Sequence, residues 1–175
     1  LYPSAILAVT FTNKAAAEMR GRIEGLLGVS LRGMWVGTFH GLAHRFLRTH
    51  WQVAGLAQGF QILDSDDQQR LLRRVLRALE MDEKKWPARK MAWVINHYKD
   101  EGLRPEQIDP GKDYVLGQYL KIYQAYENAC RTAQVVDFAE LLLRTLETLR
   151  KQPDLLAHYR QRFAHLLVDE FQDSN

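Results

Sequence analysis

At 175 residues and 20.3 kDa, the chain is long enough for one domain, or one domain with part of another, and 46% apolar residues suffice for a core. A net charge of +3 and a pI near 9.0 fit a polyanionic partner but are too small to single out nucleic acid. No stretch approaches the roughly 18 uninterrupted apolar residues of a membrane span, no signal peptide is visible, and a single cysteine, Cys130, excludes an internal disulfide and suits a reducing, cytoplasmic compartment.

Ile6 to Phe11 is an apolar run typical of a buried strand. Thr12 or Asn13 is placed to cap a helix from about Lys14 to Leu27, with Gly28 as its C-terminal stop. Met34 to Thr38 reads as the next strand, which makes a strand-helix-strand unit with parallel pairing. From His40 to Ala164 the pattern is helical almost throughout. Leu42 to Trp51 opens it, and Asp64 or Ser65 starts a helix whose Leu71, Leu72, Val75, Leu76 and Leu79 share one face. Pro87 can begin the next helix, which Gly102 and Pro105 close. Leu116 to Cys130 marks a longer helix, with Cys130 on its apolar face as a buried thiol. Asp137 with Glu140 three residues on is a helix start, and Pro153 opens the last helix. Trp35, Trp51, Trp86 and Trp93 are core candidates. The expected class is α/β, mostly helical: a small parallel sheet interrupted by a long helical insertion.

The last ten residues carry the sharpest signal. Leu166-Leu167-Val168 reads as a buried parallel strand, and Asp169 and Glu170 emerge at its carboxyl end, where open α/β sheets bind ligands. Neighbouring side chains on an extended segment point in opposite directions, so the two acids can take different roles. In P-loop nucleotidases an Asp at this point holds Mg²⁺ and a neighbouring group positions the attacking water. A surface Asp-Glu pair capping a strand is the plainer reading. Phe11, followed by Thr12, Asn13 and Lys14, stands where a strand turns into a helix and exposes anion-binding N–H groups, beside a ring able to stack on a base. Phe11 could equally be core, with Thr12 and Asn13 ordinary caps. Gly37-Thr38-Phe39-His40 repeats that layout: Thr38 and His40 can bond phosphate or sugar, or serve as a cap and a surface histidine.

VDEFQDSN resembles the Walker B segment of UvrD/Rep/PcrA-type superfamily 1 DNA helicases. Val9 to Ile23 (VTFTNKAAAEMRGRI) is similar to the family's motif Ia, and Gly37 to Arg48 (GTFHGLAHRFLR) to its motif Ib. Val135 to Arg144 (VVDFAELLLR) also recurs there, ahead of the Walker B strand. The four stand in the family's order, and the resemblance extends over essentially all 175 residues. It implies a partial RecA-like sheet of the P-loop NTPase fold in 1–39 and 165–175, with 40–164 as an inserted helical subdomain. It implies an ATP-dependent 3′–5′ DNA helicase that couples hydrolysis to movement on single-stranded DNA, unwinding duplex in repair or replication. Asp169 would hold Mg²⁺ with ATP, Glu170 would orient and deprotonate the water, and Gln172 would neighbour the nucleotide. Phe11, Thr12, Asn13, Lys14, Thr38 and His40 would contact DNA, and Lys99, in INHYKDEGLRP, is similar to a lysine near the family's duplex-facing loop. Single-strand/double-strand junctions and DNA-repair proteins are the implied partners, with no membrane.

A phosphate cradle needs Gly, four residues, then Gly-Lys-Ser/Thr. The one Gly-Lys here, Gly111-Lys112, is followed by Asp113 and has Glu106 where the first Gly belongs. With Leu1 at one end and the acidic pair near the other, the chain reads as an excerpt, and by itself, without P-loop or arginine finger, as inactive toward ATP. Three other classes stand beside the motor. One is a non-catalytic helical module that binds DNA or protein. Another is a nuclease using Asp169, Glu170 and Asp173, which alternation along a strand disfavours. The last is a zinc site at His40 and His44, which lacks the Glu and a third ligand. Arg70, Arg73, Arg74 and Arg77 line the polar side of one helix, the usual mark of a solvated face.

Overall fold

The computed structural model describes residues 2–28, 30–31 and 33–173; Leu1, Val29, Arg32, Ser174, Asn175 and the side chain of Asp173, one of the acids of the nuclease reading, lie outside the described residues. In chain order the regular elements are β1 (Ile6–Thr10), α1 (Asn13–Leu27), β2 (Trp35–Thr38), α2 (Phe39–Thr49), β3 (Gln61–Ile62), α3 (Ser65–Ala78), α4 (Ala88–Asp100), α5 (Tyr114–Ala133), β4 (Val135–Val136), α6 (Phe138–Lys151), α7 (Pro153–Arg162) and β5 (His165–Val168). The result is a mostly helical α/β protein with a small parallel sheet. It divides into two compact units, 1–50 with 145–175, and 51–144.

The first unit is built on the sheet β2-β1-β5, parallel throughout. Ala8, Val9 and Thr10 of β1 are buried because the strand is paired on both sides and packed by α1, whose Met19 and Ile23 meet Ala8 and Val36. Thr12 caps α1, and Gly28 ends it at a φ of 61°, a left-handed stop that a side chain would strain. Trp35 packs edge-to-face with Tyr159 of α7 and Phe163 just after it, at 5.6 and 5.5 Å, with the Arg45 guanidinium 4.5 Å from its centroid. This aromatic layer, with Phe46 of α2 at 5.4 Å from Tyr159, joins α2 and α7 to the sheet. The sequence places the boundaries at 39/40 and 164/165; the compact units divide at 50/51 and 144/145. The closing strand also differs from expectation. It is parallel and paired to β1, yet Leu166 is 63% and Leu167 54% exposed. Burial of a parallel strand requires a layer on each face, and β5 is the edge of the described sheet.

The second unit is a helical core in which Leu72 and Leu76 of α3, Met91 and Ile95 of α4, and Ile122 and Tyr126 of α5 are almost wholly buried. Asp64 caps α3 through the Asp67 amide at 2.8 Å, and Pro87 precedes α4. Two-residue strands, β3 and β4, pair in parallel at Gln61↔Val135 and Ile62↔Val136. Trp86 is core as expected, whereas Trp93 is 66% exposed and stacks on His97.

Inside this unit lies a neutral cluster of three cations and three carboxylates. The Lys99 ammonium donates to Glu127 at 2.8 Å, Asp137 at 2.9 Å and Glu140 at 2.8 Å. Arg104 grips both oxygens of Glu140 at 2.8 Å, and Arg144 reaches Glu140 at 2.8 Å and the Ala54 carbonyl at 3.0 Å. The Tyr126 hydroxyl donates to Asp137 at 2.8 Å, while the other Asp137 oxygen caps α6 through the Glu140 amide. Burial favours the uncharged form of each group. For Glu140 that effect is outweighed by Lys99, Arg104 and Arg144, which hold its carboxyl far below the usual range. For Lys99 it is outweighed by Asp137, Glu140 and Glu127, which hold its pKa well above the ordinary value. Cys130, nearby and buried, has its thiol pushed up to about 12, chiefly by burial.

Removing one partner of a buried pair leaves uncompensated charge and costs about 3–5 kcal/mol. Lys99→Met is therefore expected to lower stability by about that much, read from urea denaturation followed by circular dichroism. The Glu140 contribution is complete above the unfolded carboxyl value of about 4.3 and is lost as pH falls from there through the depressed folded value. That of Lys99 is complete below about 10.4 and is lost only as pH rises through its elevated folded value. Stability from this cluster should be flat between about pH 5 and 10 and decline on acidification; a decline on raising the pH from about 5 to 9 would contradict it.

Candidate functional site

Three chain segments leave the sheet at one edge. β1 and β2 end in register, Thr10 beside Thr38, and β5 follows with Val168 opposite Val9. The Asp169 amide extends the ladder by donating to the Val9 carbonyl at 3.0 Å. Parallel strands put all their carboxyl ends on the same side, so the turns after β1 and β2 and the acidic pair after β5 stand abreast.

At the first two turns a threonine caps the following helix. The Thr12 hydroxyl accepts from the Ala15 amide and the Thr38 hydroxyl from the Gly41 amide, both at 3.1 Å. Gly41 has a steric reason: a Cβ there would stand 3.0 Å from the Thr38 hydroxyl oxygen. Asn13, Lys14 and His40 are exposed in the first turns of α1 and α2. Phe11 is 41% exposed, and its ring lies 5.1 Å from that of Phe39, tilted by 51°. Phe39 is not among the site residues that the sequence alone suggests. The signal was available in the shared Thr-Phe dipeptide at 10–11 and 38–39, which parallel register places side by side.

Asp169 and Glu170 are both exposed. The alternation expected of an extended acidic pair stops here, because the strand ends at Val168 and Glu170 takes a φ of 53°. The short helical turn Phe171–Asp173 then brings Gln172 back, and its side-chain amide donates to the Glu170 carboxylate.

Lys99, in the second unit, is 3% exposed and enclosed by three carboxylates. His44 is likewise engaged: its Nε2 accepts from Arg48 at 2.9 Å, and burial together with the Arg48 charge lowers its pKa. Of the arginine row on α3, Arg70 pairs with Asp67 at 2.6 Å and Arg73 with Glu83 at 3.1 Å, at the surface.

A family profile described as the UvrD/REP helicase N-terminal domain matches residues 1–175. The chain is 60% identical over 173 residues to DNA helicase II of Salmonella typhimurium and to DNA helicase II of Escherichia coli, covering 99% of this chain and 24% of each relative. It is 40% identical over 177 residues to ATP-dependent DNA helicase PcrA of Leuconostoc citreum, covering 100% of this chain and 24% of that one. The chain thus spans about a quarter of the length of the curated relatives it matches. The likeness read from the four motifs is borne out.

Loss of an N-cap side chain costs typically about 1 kcal/mol. Thr38→Ala is expected to destabilise the first unit by that amount, whereas Thr38→Ser should stay within a few tenths, as judged by thermal denaturation. Equal losses in both variants would mean the hydroxyl is not the stabilising group.

Proposed function

The chain belongs to the UvrD/REP helicase family, as an N-terminal domain, and from that membership we propose that it is part of an ATP-dependent DNA helicase moving 3′–5′ on single-stranded DNA. In this reading the sheet is half of a RecA-like fold, and the helical stretch is a subdomain inserted into it. The observation that carries the reading is the single sheet edge shared by the threonine-aromatic turns and the acidic pair.

The two ends of the reaction divide along that edge. An exposed Asp169 carboxylate at a strand terminus suits Mg²⁺, a hard cation that takes one or two carboxylates and keeps the rest of its shell for phosphate and water. When bound with ATP, Mg²⁺ would offset charge developing on the phosphates. Glu170, next along the chain, is the group for accepting a proton from the attacking water. At β1 and β2, the Phe11 and Phe39 rings offer a stacking surface that tolerates any base sequence. Thr12, Asn13, Lys14, Thr38 and His40 stand around it as phosphate and sugar contacts. β1 lies between the two halves, bonded to β2 on one side and β5 on the other, so a single strand connects the acidic turn with the DNA turns. Junction DNA and DNA-repair proteins are the partners this reading assigns. A non-catalytic binding module would leave the acidic pair without a role.

Stacking contributes about 1–3 kcal/mol per base. Phe11→Ala should weaken single-stranded DNA binding by that amount while leaving the fold intact, measured by fluorescence anisotropy with a labelled oligonucleotide at two salt concentrations. Unchanged affinity would remove Phe11 from the interface. In a protein of the relatives' full length carrying these residues, Glu170→Gln should slow ATP turnover by about 10²–10⁴-fold. Turnover at the unsubstituted rate would defeat the assignment.

A further inference from the structure

We propose that Gln172 is a positioning residue for the proposed hydrolytic base: its side-chain amide fixes the direction in which the Glu170 carboxylate points. The inference rests on the reading of Glu170 above and adds a partner to it.

The backbone between them explains why the pairing occurs. The Asp169 amide is still tied to the Val9 carbonyl at 3.0 Å, so the sheet holds the chain up to that residue. The next residue, Glu170, leaves the strand at a φ of 53°. This left-handed conformation costs a side-chain-bearing residue roughly 1–2 kcal/mol, and it persists only where the surroundings hold it. The turn Phe171–Asp173 follows at once and brings Gln172 back to Glu170. Its Nε2 then donates to Glu170 Oε2. One carboxylate oxygen is thereby occupied by a neutral donor, and in this proposal the other, Oε1, is the one that accepts from water. A Glu side chain has three rotatable bonds and is otherwise free to sweep this exposed turn, so a fixed direction has to come from a partner. The amide supplies it without adding a charge.

The same two groups make a distinction that a purely structural role would not. Gln172→Glu keeps the length and shape of the side chain but replaces the donor with an acceptor, which repels Glu170. Gln172→Ala removes the contact and little else, since the residue is exposed. In a protein of the relatives' full length, DNA-stimulated ATP hydrolysis should fall about 10–100-fold in both variants, as when supporting partners of a site are lost. The KM for ATP and the affinity for single-stranded DNA should stay within about two-fold. Gln172→His, which retains a donor, should recover part of the rate. In the Glu170→Gln background, Gln172→Ala should cost nothing further, because the group it directs is already gone.

Full activity in Gln172→Glu overturns the proposal, as does an added loss in the double variant or a rise in KM that accounts for the whole effect. If Gln172→Ala is active while Glu170→Gln is inert, the positioning role fails and the base assignment survives. If Glu170→Gln is itself unaffected, the underlying reading fails first.

Discussion

Register between three parallel strands determines what this protein can bring together. β1 pairs with β2 so that Thr10 meets Thr38, and with β5 so that Val9 meets Val168, one residue before the acidic pair. A slip of a single residue in either ladder would turn every side chain of the shifted strand to the opposite face. It would also part the Phe11 and Phe39 rings, which touch only because each follows a threonine at the same height. The candidate site is a consequence of pairing geometry more than of any one residue's chemistry, since its threonines, phenylalanines and acids are ordinary in isolation.

The second unit depends on a different device. Its ionic cluster joins α4, α5, the start of α6 and the loop at Ala54, through Lys99, Arg104 and Arg144 on one side and Glu127, Asp137 and Glu140 on the other. Charges of both signs are equal in number, which is what allows six ionised groups to sit where water is scarce. Apolar contacts between α3, α4 and α5 supply the bulk of the packing, and the cluster adds direction, because hydrogen-bond geometry fixes the helices' relative rotation in a way that apolar faces alone do not.

Much of this could be read from the chain itself, and the reason is locality. Caps and stops act within one turn, so Asp64 before α3, Gly28 after α1 and Pro153 opening α7 announced their helices. The motifs at both ends of the chain likewise fixed the family. Residues whose meaning depends on distant partners were read differently. Lys99 looks like one more exposed lysine in a polar helical stretch, and only the fold brings it to Asp137, 38 residues away. Two-residue strands such as β3 and β4 are shorter than any periodicity. The apolar run of β5 correctly announced a strand, but composition alone does not say whether both its faces are covered.

That last strand has a practical side. A short edge with Leu166 and Leu167 turned to solvent and one row of amides and carbonyls without ladder partners among the described residues is a template for another chain of the same kind. Its length of four residues restrains that tendency, while a net charge of only +3 spread over the whole polypeptide gives little mutual repulsion. At high concentration that edge is where two copies of the chain would be expected to pair first.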